Sequence, residues 1–297
     1  MNPIFQGLSA FPITPADGEG RVDTEAMQRL VARLVGAKVD SIGLLGSTGS
    51  YPYLSRAERR RAITAAVEVA RGTPILVGSG ALRTDEALAL SRDAEAAGAS
   101  ALLLAPVSYT PLTDREVFVH FETVAAAVKL PVCIYNNPGT THFSFSPGLI
   151  ARLGQIGNIV AVKNPAPEPA HIVAQLDDLR GRVGKDFSLG YSADWKVMET
   201  LIAGANAWYS VLGGLFPEPC MAITRAVKAG RAAEARRLNA DLQPLWDLFV
   251  GHSSLRVVYA AANALGLVKA APPLPILPLE PEADHQVRAV IDRLRLR

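Results

Sequence analysis

The chain has 297 residues, 49% of them hydrophobic, and its 30 basic and 28 acidic residues leave a formal net charge of +2. A large buried core fits this composition and a disordered chain does not. The balanced charge gives no reason to expect nucleic acid or a membrane surface as a partner. Cys133 and Cys220 imply no disulfide framework and fit a reducing, cytoplasmic setting; the N-terminal MNPIFQGLSAFPITP lacks the pattern of a signal peptide, and no apolar run reaches the length of a membrane span.

Short apolar runs recur along the chain, near Phe5 to Ala10, Ser41 to Leu45, Pro74 to Val77 and Ala101 to Leu104. Four more follow near Val132 to Tyr135, Ile159 to Lys163, Phe187 to Gly190 and Ala207 to Ser210. Most lack period-two alternation, which is the pattern of strands buried on both faces in a parallel sheet covered by helices. Helical stretches fall between them. Thr24 to Gly36 places Met27, Leu30, Val31 and Leu34 on one face, with Asp23 or Thr24 as N-cap. Ser55 to Ala70 opens with Ser55 and Glu58, and Thr113 to Lys129 with Thr113 and Glu116, both capping-box spacings. The cluster Arg59-Arg60-Arg61 reads as a solvated face of the former helix. Thr84 to Ala97 stops at Gly98. Strands and helices in this alternation predict an α/β fold, a (β/α)8 TIM barrel over residues 1–214; a doubly wound sheet is the competing arrangement. Residues 215–297 read as a C-terminal helical extension, with helices over Pro217 to Ala229, Ala232 to Val250, Ser254 to Leu265 and Ala283 to Leu296, interrupted by the proline-rich APPLPILPLEP.

Barrel enzymes place their chemistry at the C-terminal ends of the strands. There the second strand runs into Gly46-Ser47-Thr48-Gly49-Ser50, the fifth into Tyr135-Asn136-Asn137-Pro138-Gly139-Thr140-Thr141, and the sixth ends in Lys163. A lysine closing an apolar strand loses hydration, and its neutral amine can attack a ketone to form an imine. The bland reading is a strand-end lysine reaching solvent. Tyr135 can move protons to and from the substrate oxygen, or be a buried aromatic with its hydroxyl satisfied. The glycine-flanked turn offers backbone N–H groups and two hydroxyls to an anion of carboxylate size. The histidines His120, His142, His171, His252 and His285 lack metal-ligand spacing; only His142 follows a strand end closely.

Together these motifs resemble the dihydrodipicolinate synthase/N-acetylneuraminate lyase family. The pattern is G-[ST]-T-G at strand two, Y-N-x-P at strand five and a lysine ending strand six, and Gly7 to Pro15 is similar to the family's first strand and turn. The resemblance implies that Lys163 forms the imine, Tyr135 transfers protons, and Ser47 and Thr48 hold the carboxylate of a 2-oxo acid, with Thr48 also in the proton relay. It implies a homo-oligomer, a tetramer built as a dimer of dimers with a relay tyrosine entering from the dimer mate, and no metal or dissociable cofactor. Four positions depart from the family: Ser50 replaces a common glutamate, Ser108 stands where the relay tyrosine belongs with Tyr109 one residue late, Thr140 replaces an arginine that binds the second substrate in dihydrodipicolinate synthases, and Asn164 follows the lysine.

The resulting expectation is a lyase or aldolase acting on a pyruvate-type 2-oxo acid, with a 2-keto-3-deoxy sugar acid or a 4-hydroxy-2-oxo acid as substrate. Dihydrodipicolinate synthase activity itself is disfavoured on Thr140. Gly49, Tyr109, Asn137, Thr140, His142, Tyr191 and Leu212 join Ser47 and Thr48 as expected substrate contacts, with Asn164, Ser192 and Tyr209 as further rim candidates. Two rivals compete with this reading. A barrel enzyme of other chemistry would bind phosphate at Gly213-Gly214; a non-catalytic 2-oxo acid sensor would follow from the loss at Ser108.

Overall fold

The computed structural model describes residues 2–297. Eight parallel strands close into a barrel in sequence order: β1 (Gly7–Ala10), β2 (Ser41–Leu44), β3 (Ile75–Gly78), β4 (Ala101–Leu104), β5 (Val132–Tyr135), β6 (Ile159–Pro165), β7 (Ser188–Ser192) and β8 (Ala207–Ser210). The last returns to the first, pairing Gly7 with Ala207 and Ala10 with Ser210. This is the predicted (β/α)8 barrel, and the doubly wound alternative is excluded by closure.

The absence of alternation in the strands has a simple cause. Leu76, Leu103, Cys133 and Ala161 point into the barrel, while Ile75, Val77, Leu102, Leu104, Val132, Ile134 and Val162 pack outward under the helices, and all are buried. Each face is therefore apolar. Inside the barrel the filling is uneven. At Gly43 an added Cβ would lie 2.2 Å from the Phe11 ring, and at Gly190 it would lie 2.4 Å from the Tyr209 ring. These two glycines make room for a layer of aromatic rings just below the mouth, and Phe11 and Tyr209 meet edge to face with centroids 6.1 Å apart.

The barrel helices form from the expected signals. The Asp23 side chain accepts the Ala26 N–H at the start of α1 (Thr24–Gly36), and Ser55 accepts from Glu58 N–H at the start of α2 (Arg56–Val69). After α3 (Thr84–Ala96), Gly98 turns the chain with φ +92°. Thr113 and Glu116 complete a reciprocal capping box on α4 (Asp114–Ala126). The one-turn α5 (Pro138–Thr141), α6 (Pro147–Leu153), α7 (Ile172–Arg182) and α8 (Asp194–Ile202) follow. Then come α9 (Pro217–Lys228), α10 (Ala232–Asp241), α11 (Gln243–His252), α12 (Ser254–Ala264) and α13 (Pro281–Leu294). α9 packs on β1 and α8, the place of the eighth barrel helix, so the division expected at 214/215 sets this helix apart from the sheet it covers. The single helix expected over Ala232 to Val250 is two. The chain breaks at Leu242, because Pro244 supplies no N–H for a continuing helix and starts a new one instead. No helix is long and apolar enough to cross a membrane among the described residues.

One further expectation changes. Arg59 is not on a solvated face: it is 7% exposed, donates to the carbonyls of Leu54 and Gly80, and lies 5.2 Å from the centre of the Tyr51 ring. Its neighbours Arg60 and Arg61 do face solvent.

Candidate active site

At the C-terminal end of the barrel lies a cavity of about 710 Å³. The ends of β2, β5, β6 and β8 supply its floor, the loops after β5 and β7 its sides, and residues of α11, α12 and the 270s segment its outer wall. Lys163 sits on the floor. It pairs in register with Tyr135 across β5 and β6 and is 5% exposed. Its Nζ lies 4.0 Å from the Phe11 ring centre, 4.4 Å from that of Tyr135 and 5.7 Å from that of Tyr209. The amine is thus held by the aromatic layer below and exposed to the cavity above.

Tyr135 is 4% exposed, and its hydroxyl is 2.9 Å from Ser47 Oγ. The Asn137 amide Nδ2 donates to the same phenol at 3.1 Å and to Ser47 Oγ at 3.4 Å. Burial pushes the phenol upward, but the Lys163 charge and the hydrogen bonds with Ser47, Asn137 and Lys163 outweigh it and hold the group below its ordinary value. Below them Cys133 is inert: burial raises its thiol to about 12 against the Tyr209 hydroxyl at 3.5 Å.

Ser47, Thr48, Tyr135, Asn137, Thr140, His142 and Lys163 all line this cavity, as the sequence predicts, and so do the rim candidates Ser192 and Tyr209. Four expected contacts do not. Tyr109 is 97% exposed and does not line the cavity, although Val107 of the same loop does. Tyr191 is fully buried on the helix side of β7, since its neighbour Gly190 takes the inward position; burial raises its phenol to about 12. Leu212 is packed into the turn after β8, and Gly49 is buried with its Cβ position 2.9 Å from Leu45 N, so neither reaches the cavity surface. Within the relay, Ser47 rather than Thr48 meets the phenol; among the described residues no hydrogen bond joins Thr48 to Tyr135. Ser108 donates to the Thr110 carbonyl of its own loop. Asn164 is buried behind the site, accepting from Asn136 at 2.9 Å.

Sequence reasoning missed Asp194, which opens α8 and borders the cavity. It is 2% exposed and accepts from Trp208 Nε1 at 2.8 Å, Ser210 Oγ at 3.2 Å and Leu212 N–H at 2.7 Å. Burial raises its carboxyl, and these bonds with the Lys163 charge reverse the rise only in part. The signal was an acidic residue in the first turn of a helix just after a strand end. Asp194 also weakens the phosphate rival. It occupies the Leu212 N–H, and Gly213 N–H is spent on Ser210 Oγ at 2.8 Å. A Cβ at Gly214 would lie 2.1 Å from the Phe11 carbonyl oxygen, so that glycine serves close backbone packing rather than an open anion nest.

The model of the dihydrodipicolinate synthetase family matches residues 4–294. The chain belongs to the dihydrodipicolinate synthetase family. It is 34% identical over 287 residues to a 4-hydroxy-tetrahydrodipicolinate synthase of Alcanivorax borkumensis, covering 96% of each chain. Among solved structures it is similar to a dihydrodipicolinate synthase from Agrobacterium tumefaciens, with 55% identity, 98% of each chain covered and a TM-score of 0.96. The synthase from Aquifex aeolicus is also similar, at 30% identity, 98% coverage of each chain and a TM-score of 0.91. The protein is therefore an enzyme of this family, and the resemblance carried by the three strand-end motifs holds across nearly the whole chain.

Proposed function

We propose that this enzyme forms an imine between Lys163 and a pyruvate-type 2-oxo acid and makes or breaks a bond at the neighbouring carbon. One observation supports this above others: the Lys163 amine is 5% exposed, on the floor of a cavity, beside a phenol already bonded to a hydroxyl. In the forward half-reaction the neutral amine adds to the carbonyl carbon. The carbonyl oxygen then leaves as water, with a proton delivered by the Tyr135–Ser47 pair. The protonated imine accepts the electron pair of the adjacent bond. In cleavage, Tyr135 takes the proton of the substrate hydroxyl as that bond breaks, leaving an enamine that is protonated and hydrolysed to release the 2-oxo acid. Thr48 and the turn's N–H groups hold the carboxylate.

The outer wall favours a hydroxylated second half. Thr140, Ser192, Ser253, Ser254 and the rings of Tyr53 and Trp195 face it, and no arginine lines the cavity among the described residues. That fits cleavage, condensation or dehydration of a 2-keto-3-deoxy sugar acid or a 4-hydroxy-2-oxo acid. A second reading is formation of 4-hydroxy-tetrahydrodipicolinate, which the names of the relatives favour. The sequence argument against that activity rested on Thr140, with Asn164 after the lysine as a further departure, and the comparisons give it no support.

Borohydride reduction in the presence of pyruvate, followed by peptide mass mapping, tests the shared chemistry. The expected result is a reduced pyruvyl adduct on Lys163, lost in Lys163→Ala together with all turnover. No adduct, or one confined to another lysine, removes the proposal. Assays with hydroxylated 2-oxo acids, set beside one for 4-hydroxy-tetrahydrodipicolinate, separate the two substrate readings.

A further inference from the structure

The Asn137 side chain has no evident task in the fold. Asn137 occupies the N-cap position of α5, yet it caps with its backbone only. Its carbonyl accepts from the N–H groups of Thr140 and Thr141 at 2.9 and 3.0 Å and from their hydroxyls at 3.3 and 3.0 Å, and no side-chain cap bond forms. Its amide instead turns into the site, where one NH₂ group is shared between Tyr135 Oη and Ser47 Oγ.

We infer that Asn137 is a positioning residue that fixes the direction of proton transfer, from Tyr135 through Ser47 to the substrate. The inference rests on the imine chemistry proposed above. Counting protons and lone pairs gives the direction. A hydroxyl has one proton and two lone pairs, and an amide NH₂ only donates. Each oxygen therefore spends a lone pair on Asn137, and one proton lies in the 2.9 Å bond between the two oxygens. What remains is one free proton on one oxygen and one free lone pair on the other. Lys163 bonds to the phenol as a donor, so the remaining lone pair lies on Tyr135 and is taken by the amine. Tyr135 then donates to Ser47, and Ser47 presents the free proton to the cavity that both line.

Among the described residues of this subunit, Ser108, whose hydroxyl is engaged with Thr110, and Thr48 make no bond to the phenol. An amide neither gains nor gives up a proton under these conditions, so Asn137 holds the pair without joining the transfer.

The test uses pyruvate alone. Imine and enamine formation exchange its methyl protons with deuterium from solvent, which NMR follows across pH, and borohydride trapping reports the adduct in parallel. Asn137→Leu should keep the Lys163 adduct but slow exchange on the order of 10-fold. It should also move the alkaline limb up by about one pH unit, because the ionised phenol loses a donor. Asn137→Asp, of the same shape, turns an acceptor toward both oxygens and draws the free proton away from the cavity; it should lose more and move the limb further the same way. An exchange rate and alkaline limb unchanged in both variants, with the adduct intact, overturn the inference. Absence of an adduct in the unaltered enzyme would instead refute the imine reading.

Discussion

Lys163 was legible because it breaks a pattern. A charged residue that closes the apolar run Ile159 to Val162 costs free energy unless it has work to do or a way to water, and it ends 5% exposed on a cavity floor. Tyr135 was weaker, since a strand-end tyrosine is common in cores; only its place beside the glycine-flanked turn singled it out. The choice between Ser47 and Thr48 was not legible at all. The turn's course depends on left-handed backbone at Leu45 (φ 54°) and Ser50 (φ 51°), residue types that do not announce such a conformation. The phenol's own contribution is separable from its ring. Tyr135→Phe keeps the aromatic face 4.4 Å from the amine and deletes the hydroxyl shared with Ser47 and Asn137. The initial rate of pyruvate imine trapping should fall on the order of 100-fold, with the same adduct reached at long times. A rate equal to that of the unaltered enzyme would mean that water, not Tyr135, supplies the proton.

At the scale of elements, the strands were found for the same reason that their phase was lost. A run buried on both faces shows where a strand is but not which side chains enter the barrel, so Tyr191 passed for a site residue although it faces the helices. Inward glycines were the available clue: Gly43 and Gly190 stand where the Phe11 and Tyr209 rings leave no space for a Cβ. Capping signals were sound as starts and uneven as motifs. Thr113 and Glu116 bond reciprocally. Glu58, by contrast, leaves Ser55 unanswered and turns its carboxylate to the Val22 N–H at 2.7 Å and to Arg61. Arg59 was misread because periodicity sees only the helix, whereas its partners, the Leu54 and Gly80 carbonyls, come from loops that fold over it. Thr113→Ala removes the hydroxyl that accepts the Glu116 N–H and leaves only the backbone half of the box, and it should lower stability by about 1 kcal/mol, read as a shift in the urea midpoint at unchanged slope. A midpoint within error of the parent would show that water replaces the cap at no loss.

For the whole molecule, barrel closure follows from the count and order of βα units, while its response to acid follows from one residue that chain order does not mark. His120 lies on α4, 9% exposed, with Nδ1 2.9 Å from Thr84 Oγ1 on α3 and its ring edge-on to Phe121 at 5.8 Å. Burial holds the imidazole down at about 4, against 6.5 when unfolded. Between these values the unfolded chain binds a proton that the folded chain refuses. The stability it contributes is therefore complete above 6.5 and is lost as pH falls toward 4. The loss is on the order of 3 kcal/mol from this group. Paired carboxylates act lower on the scale: Asp93, held below 3.8 chiefly by its bond to Arg56, adds its loss only in stronger acid. Urea titrations every half unit from about pH 7 to 4 should thus show a steady fall, and His120→Gln, which cannot titrate, should flatten it while lowering stability near neutrality through the poorer fit between α3 and α4. A slope that survives His120→Gln would place the acid sensitivity elsewhere in the barrel.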